Sequence, residues 1–210
     1  VVRRPVVAIL ATGDELVEPG LSLSPGKIYD SNSSSITAAV KRAGGIAKPV
    51  GIAKDNLGSL TRKIDEGLQA DMLITTAGVS KGDYDIVKDV LAQRGEIEIW
   101  SVRMRPAKPL AFGLMRRSDG KQIPHLGLPG NPVSTLVTFC LFVRPFILRR
   151  QVMTEVEPRS VSVMANFSWP TPMRRREFVR VRLEGNGELA QATIYHKQGS
   201  DVLASTVWAD

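Results

Sequence analysis

Val6-Val7-Ala8-Ile9-Leu10 is an unbroken apolar run, entered from Arg3-Arg4-Pro5 and left through Thr12-Gly13-Asp14-Glu15. A strand with one wet face alternates apolar and polar residues. A run without alternation reads as a strand covered on both faces, as in a parallel sheet between two layers of helices. Charge ahead of a greasy run also resembles a secretion signal, but this run is too short and two carboxylates follow it at once.

Working outward, the same strand–helix alternation continues with short links. Asp30 or Ser31 offers an N-cap to a helix whose apolar positions Ile36, Ala39, Val40 and Ala43 share one face, closed by Gly44-Gly45. Residues 46–53 read as a second strand, 57–68 as a second amphipathic helix and 71–76 as a third strand. Ile86, Val87, Val90 and Leu91 mark a third helix. Residues 97–104, 110–114 and 122–127 read as further strands, and 132–149 as a long, largely buried helix. The fold class is α/β, a three-layer sheet with helices on both faces. Near 151–158 the pattern changes to strands and turns. We therefore expect a first domain over 1–150 and a small all-β domain over 155–210. In the latter, Phe178 to Glu184 alternates and Gly185-Asn186-Gly187 turns the chain toward a partner strand at 188–195. Some 55 residues bury only a modest core, so this part is expected to lean on its neighbour.

Composition narrows the function. The chain has 210 residues, 43% of them hydrophobic, which is ordinary for a globular protein with a real core. One cysteine, Cys140, excludes an internal disulfide and Cys-rich zinc modules and points to a reducing compartment, and two histidines leave little for a multi-His metal site. The longest apolar stretch, 136–143, is far short of the roughly 20 residues that span a bilayer. The net charge of +7 belongs wholly to residues 1–154, so an anionic ligand is expected there. The basic residues are dispersed and only 6% of residues are aromatic, a poor basis for stacking nucleic-acid bases.

Ligands of open α/β sheets bind beyond the carboxyl ends of the strands, so the loops that follow strands deserve scrutiny. Thr12-Gly13-Asp14-Glu15-Leu16 sets two carboxylates beside a glycine. Ala77-Gly78-Val79-Ser80-Lys81-Gly82-Asp83-Tyr84-Asp85 combines glycines, a hydroxyl and acids, suited to an anion bridged to carboxylates by Mg²⁺. Arg103-Met104-Arg105-Pro106-Ala107-Lys108-Pro109 brings three cations together, with Arg103 and Arg105 on one strand face as a clamp for an oxyanion. Leu128-Pro129-Gly130-Asn131-Pro132-Val133-Ser134 enters the long helix, whose N-terminus can receive an anion. Each loop also has a plain structural reading as a turn or cap. No Walker loop and no G-x-G-x-x-G follows a strand, and both histidines read as structural.

In this order, Thr12-Gly13-Asp14-Glu15-Leu16, Asp30-Ser31-Asn32, Gly78-Val79-Ser80-x-Gly82-x-x-Asp85, Arg105-Pro106-x-Lys108-Pro109 and Leu128-Pro129-Gly130-Asn131-Pro132 resemble the molybdopterin molybdenumtransferase family, which shares this part with the C-terminal region of gephyrin. The resemblance implies an α/β molybdopterin-binding domain and a small β domain. It also implies that adenylylated molybdopterin and molybdate are the substrates, and that AMP leaves with the help of Mg²⁺. Glu15, Asp55 and Asp85 fall at the family's acidic active-site positions, and Asp14 and Asp85 are the expected metal neighbours. Arg105 and Lys108 fall at basic positions that hold anions. Thr12, Gly13, Asn32, Gly78, Ser80, Gly82, Pro129, Gly130, Asn131, Pro132 and Ser134 complete the expected substrate contacts. Ser101 departs from relatives with lysine there. The family further implies two domains ahead of Val6, a homodimer that completes the site, a cytoplasmic location and a molybdopterin adenylyltransferase as working partner. Two other readings stay open: an adenylyltransferase of the same domain type, which the strand-rich tail disfavours, and a non-catalytic pterin-binding or scaffolding domain of gephyrin type.

Overall fold

The computed structural model describes residues 2–77, 90, 94–169, 174–185 and 190–209. The third helix expected around Ile86–Leu91 falls mostly outside the described residues. The central sheet is built from β1 (Val6–Thr12), β4 (Ile46–Ala53), β5 (Met72–Thr76), β6 (Gly95–Ser101), β8 (Pro109–Arg116) and β9 (Gln122–Leu128), in the order β4-β1-β5-β9-β8-β6. Short pieces β2 (Leu16–Val17), β3 (Ile28–Tyr29) and β7 (Met104–Arg105) lie in the connecting loops.

Alternate residues of β1 enter two separate cores, which is why its sequence does not alternate. Ala8 and Leu10 pack with Leu60 and Ile64 of helix α2 (Leu57–Gly67). Val7 and Ile9 pack with Ile36 and Val40 of helix α1 (Ser31–Arg42) and with Phe139, Val143 and Ile147 of the long helix. Each such fully buried aliphatic side chain contributes roughly 1.5–3 kcal/mol. Of the two candidate caps for α1, Asp30 fills the role, its carboxylate accepting from the Ser33 N–H at 3.0 Å. Asn56 caps α2 through Ser59 in the same way.

The sheet is mixed rather than purely parallel. β1 pairs in parallel with β4 and β5, and β5 with β9, but β8 runs antiparallel to both β9 and β6. The links explain this, since a parallel neighbour needs a crossover of a dozen or more residues. β8 and β9 are joined by a tight turn in which the Arg117 N–H donates to the Lys121 carbonyl and Gly120 has φ +84°. The expected single strand over 97–104 divides into β6 and β7.

The long helix runs through Pro132–Thr138, a widened turn at Phe139–Val143 and Arg144–Arg150. At 19 residues, with a mean hydropathy of 1.4 over its most apolar 18, it is long and apolar enough to cross a membrane by length and composition. Here its apolar side is spent on the second core, where Phe139, Val143 and Ile147 are buried.

Beyond residue 163, β10 (Met164–Ala165), β13 (Gln191–Ile194) and β12 (Val181–Glu184) form a three-stranded sheet. The reading of this region as strands and turns alone needs correction, because a short helix spans Ala204–Trp208. The alternating stretch from Phe178 also becomes regular strand only at Val181. Arg180 turns inward instead, donating to Ser205 Oγ at 3.1 Å, the Phe178 carbonyl at 3.2 Å and the Gly199 carbonyl at 3.1 Å. Burial pulls its pKa below the usual arginine value. β11 (Arg176–Glu177) leaves this region and pairs in parallel with β7.

Two buried ionisable groups tie the sheet to pH. Burial alone would raise the pKa of Asp71, but the Val6 N–H and the Arg3 guanidinium outweigh it and hold the carboxyl below its ordinary value. His125 sits fully buried in β9, as its structural reading expects, with Nε2 at 3.0 Å from Thr75 Oγ1, and desolvation pushes its pKa down to about 4. The unfolded chain therefore takes up a proton near pH 6.5 that the folded chain refuses until about pH 4. Stability supplied by neutral His125 is complete above that window and is lost as pH falls through it, by roughly 3 kcal/mol. Urea titrations at pH 7 and pH 4.5 should show this loss, and His125→Gln should flatten it; an equal pH slope in the variant would refute the assignment.

Candidate functional site

The loops after β1, β5 and β9 leave the carboxyl edge of the sheet, and the link between β6 and β8 crosses the same edge because β8 is reversed. They border a cleft of about 750 Å³. That size suits a small-molecule ligand. Glu15 comes from the β1 loop, Asn32 from the start of α1, and Thr76 and Ala77 from the end of β5. The β6–β8 link supplies the wall from Met104 to Pro109, which includes Arg105 and Lys108. Pro129, Gly130, Asn131 and Ser134 come from the turn into the long helix.

Local packing explains several of these placements. Gly13 has φ +142°, and a Cβ there would sit 2.5 Å from Glu15 Oε2, so the carboxylate folds back over the space that glycine leaves. Gly130 lets its loop approach β5, since a Cβ would stand 3.3 Å from that of Ala77. Asn32 Nδ2 donates to the Gly130 carbonyl at 2.7 Å and fastens α1 to that loop. This orients the Asn32 amide, whose Oδ1 is buried without a hydrogen-bond partner among the described residues, as is Thr76 Oγ1.

Other expected residues fall beside the cleft rather than on its walls. Thr12 is buried in β1 with Oγ1 donating to the Thr76 carbonyl at 3.4 Å, and Pro132 is the first residue of the long helix. Asp14 and Asp55 form a reciprocal pair just past β1 and β4. Asp55 Oδ2 accepts the Asp14 N–H at 3.1 Å and Asp14 Oδ1 accepts the Asp55 N–H at 3.2 Å. Arg103, expected beside Arg105 on one strand face, does not line the cleft, whereas Arg105 and Lys108 do. Gly78, Ser80, Gly82 and Asp85 lie outside the described residues.

The C-terminal region closes the remaining side with Arg175 and the segment from Gln198 to Asp201, none of which the sequence reading singled out. The signal available was the turn chemistry of Gly199-Ser200-Asp201 shortly after a strand. Ser200 is tied to the helix entrance twice: its carbonyl accepts the Val133 N–H at 3.0 Å, and Asn131 Nδ2 donates to its hydroxyl at 2.8 Å. The helix N-terminus read as an open anion site is thus partly taken by the protein itself. Asn131 spends its side chain on this contact and makes no side-chain cap.

The cleft is lined by Arg105, Lys108 and Arg175 together with Glu15 and Asp201, a surplus of cations with acids present. Among the described residues no group of three metal-ligating side chains is assembled. Mg²⁺ keeps most of its water and needs only one or two carboxylates beside substrate phosphates, so the Asp14–Asp55 pair next to Glu15 is a donor set that fits it.

The family model described as "Probable molybdopterin binding domain" matches residues 8–149. The molybdopterin molybdenumtransferase of a Nostoc species is 48% identical over 151 residues, covering 70% of this chain and 34% of the relative. That of Bacillus subtilis is 34% identical over the whole chain and 45% of the relative. The crystal structure of the molybdopterin biosynthesis moea protein from Pyrococcus horikosii superposes with a TM-score of 0.75 at 33% identity, over 99% of this chain and 49% of that one. The chain thus spans a third to a half of the length of these relatives. With its sheet, its carboxyl-edge cleft and two thirds of its length matched by one family model, the chain belongs to the molybdopterin-binding domain family that includes the molybdopterin molybdenumtransferases.

Proposed function

We propose that this chain forms the molybdopterin-binding part of a molybdopterin molybdenumtransferase, residues 1–150 binding substrate and 155–210 closing the cleft. The observation that carries the reading is the gathering of Glu15, Asn32, Arg105, Lys108 and the Pro129–Asn131 turn around one cleft of suitable size. Adenylylated molybdopterin lies across the strand ends, molybdate is taken up at its dithiolene with the displaced oxygen leaving as water, and a water molecule cleaves the pyrophosphate link, so that AMP leaves and the pterin keeps its own phosphate. Arg105 and Lys108 hold oxyanions by charge-assisted hydrogen bonds. Glu15, Asp55 and Asp85 are the acidic residues of the reaction, and Asp14 and Asp85 are the residues that would hold a Mg²⁺ ion. When bound, that ion supplies positive charge to a pyrophosphate that carboxylates alone would repel. The protein works in the cytoplasm as a homodimer. It receives its substrate from a molybdopterin adenylyltransferase and engages neither nucleic acid nor membrane.

The test supplies adenylylated molybdopterin, molybdate and Mg²⁺ to the longest natural form of the protein and follows AMP by chromatography. Molybdate-dependent AMP release is expected, and its absence would remove the transferase reading. In that assay Asp85→Asn should lower the rate at least about tenfold, whereas a scaffold would keep its pterin affinity and show no rate to lose. Lys108→Ala should weaken anion binding by about 10-fold or more, the loss expected for one charge-assisted bond; unchanged affinity would take Lys108 out of the site.

A further inference from the structure

Arg105 stands between two cavities. It lines the large cleft and also a second cavity of about 30 Å³ shared with Trp169, Glu177 and Phe178. Glu177 and Trp169 line the small cavity and are not among the residues that line the large one, so the carboxylate that holds Arg105 is not itself part of the cleft wall. Glu177 is itself constrained: Trp169 Nε1 donates to its Oε2 at 2.5 Å, while Arg105 Nη1 donates to its Oε1 at 3.5 Å. Its side chain is 15% exposed, against 57% for Arg105. The backbone reinforces the alignment through the β7–β11 pairing, with the Phe178 N–H donating to the Arg105 carbonyl at 2.7 Å. Lys108, the other cation on this wall, makes no side-chain hydrogen bond or ion pair with a described residue.

We propose that Glu177 is a positioning residue for anion capture, bracing Arg105 so that the rest of its guanidinium is presented to the cleft. This rests on the reading of Arg105 as an anion holder. A guanidinium carries five N–H donors in a rigid fork, so fixing one edge orients the others. A flexible cation must lose rotamer freedom when it binds, and the brace removes part of that cost beforehand. The alternative effect has the opposite sign. If Glu177 acted only through its charge, it would weaken anion binding, and neutralising it would tighten the complex.

The experiment titrates the 210-residue chain with AMP and, separately, with molybdate, using calorimetry. Arg105→Ala is expected to weaken at least one of them, and Glu177→Gln to weaken that same anion about fivefold. In the Arg105→Ala background Glu177→Gln should have no further effect. Glu177→Asp, which keeps a carboxylate on a shorter stem, should recover affinity to within about twofold of the parent. Trp169→Phe, which removes only the indole N–H, should fall between. Melting temperatures near the parent value show that the variants fold, and a global defect would not depend on whether Arg105 is present. If Arg105→Ala weakens neither anion, the anion-holding role fails and this inference with it. If Arg105→Ala weakens binding while Glu177→Gln leaves it unchanged, tightens it, or acts equally in both backgrounds, the bracing role alone is overturned.

Discussion

Covering β1 on both faces is the constraint from which the rest of the architecture follows. Val7 and Ile9 need one apolar layer and Ala8 and Leu10 another, so helices must pack on opposite sides of the sheet. Once both faces are covered, polar chemistry can sit only along the edges where the strands end. Parallel neighbours send their carboxyl ends to one edge together. The reversed β8 does not break the pattern, because its link from β6 must cross that same edge before the strand begins. Glu15, Thr76, Arg105 and Asn131 are distant in sequence and meet at the cleft for this reason alone.

The sheet supplies an open shelf, and the C-terminal region turns it into a cleft. Polar contacts attach it: the Ser200 contacts at the helix entrance and the β7–β11 pairing, while Arg180 ties the region together internally. A buried guanidinium is costly unless its donors are satisfied, and that of Arg180 donates to a hydroxyl and two carbonyls rather than to a carboxylate. Its hydroxyl and carbonyl acceptors span Phe178, Gly199 and Ser205, so satisfying Arg180 also sets the course of the segment from Gln198 to Asp201. One inward-turned cation thereby shapes a wall of the site that it does not itself line.

Layers and strand ends were legible because periodicity reports burial directly. The run at Val6 and the apolar spacing of Ile36 and Val40 each encode their own surroundings. The reversal of β8 was recoverable only from link length, which hydropathy does not express. Arg180 was hidden by strand alternation, since a charged residue in an alternating stretch reads as solvent-facing until an internal set of acceptors is known. The cleft residues on the sheet could be named from loop position and from the family resemblance. Those at 198–201 could not, because their place depends on how one part of the chain docks on another, and that contact leaves no periodic trace.

On the sheet side of the cleft, the acids and cations enter from different strands. Glu15 arrives from β1, with the Asp14–Asp55 pair alongside, and Arg105 and Lys108 arrive from the β6–β8 link. Had they been interleaved, they would have neutralised one another in ion pairs and offered little to a ligand. Kept apart, each group retains its own field, and a ligand bearing separated anionic groups can meet metal-compatible carboxylates at one part and direct cation contacts at another. Among the described residues Arg105 makes its ion pair with Glu177, which does not line the cleft. The separation of charge across the sheet edge is therefore preserved where the ligand would bind.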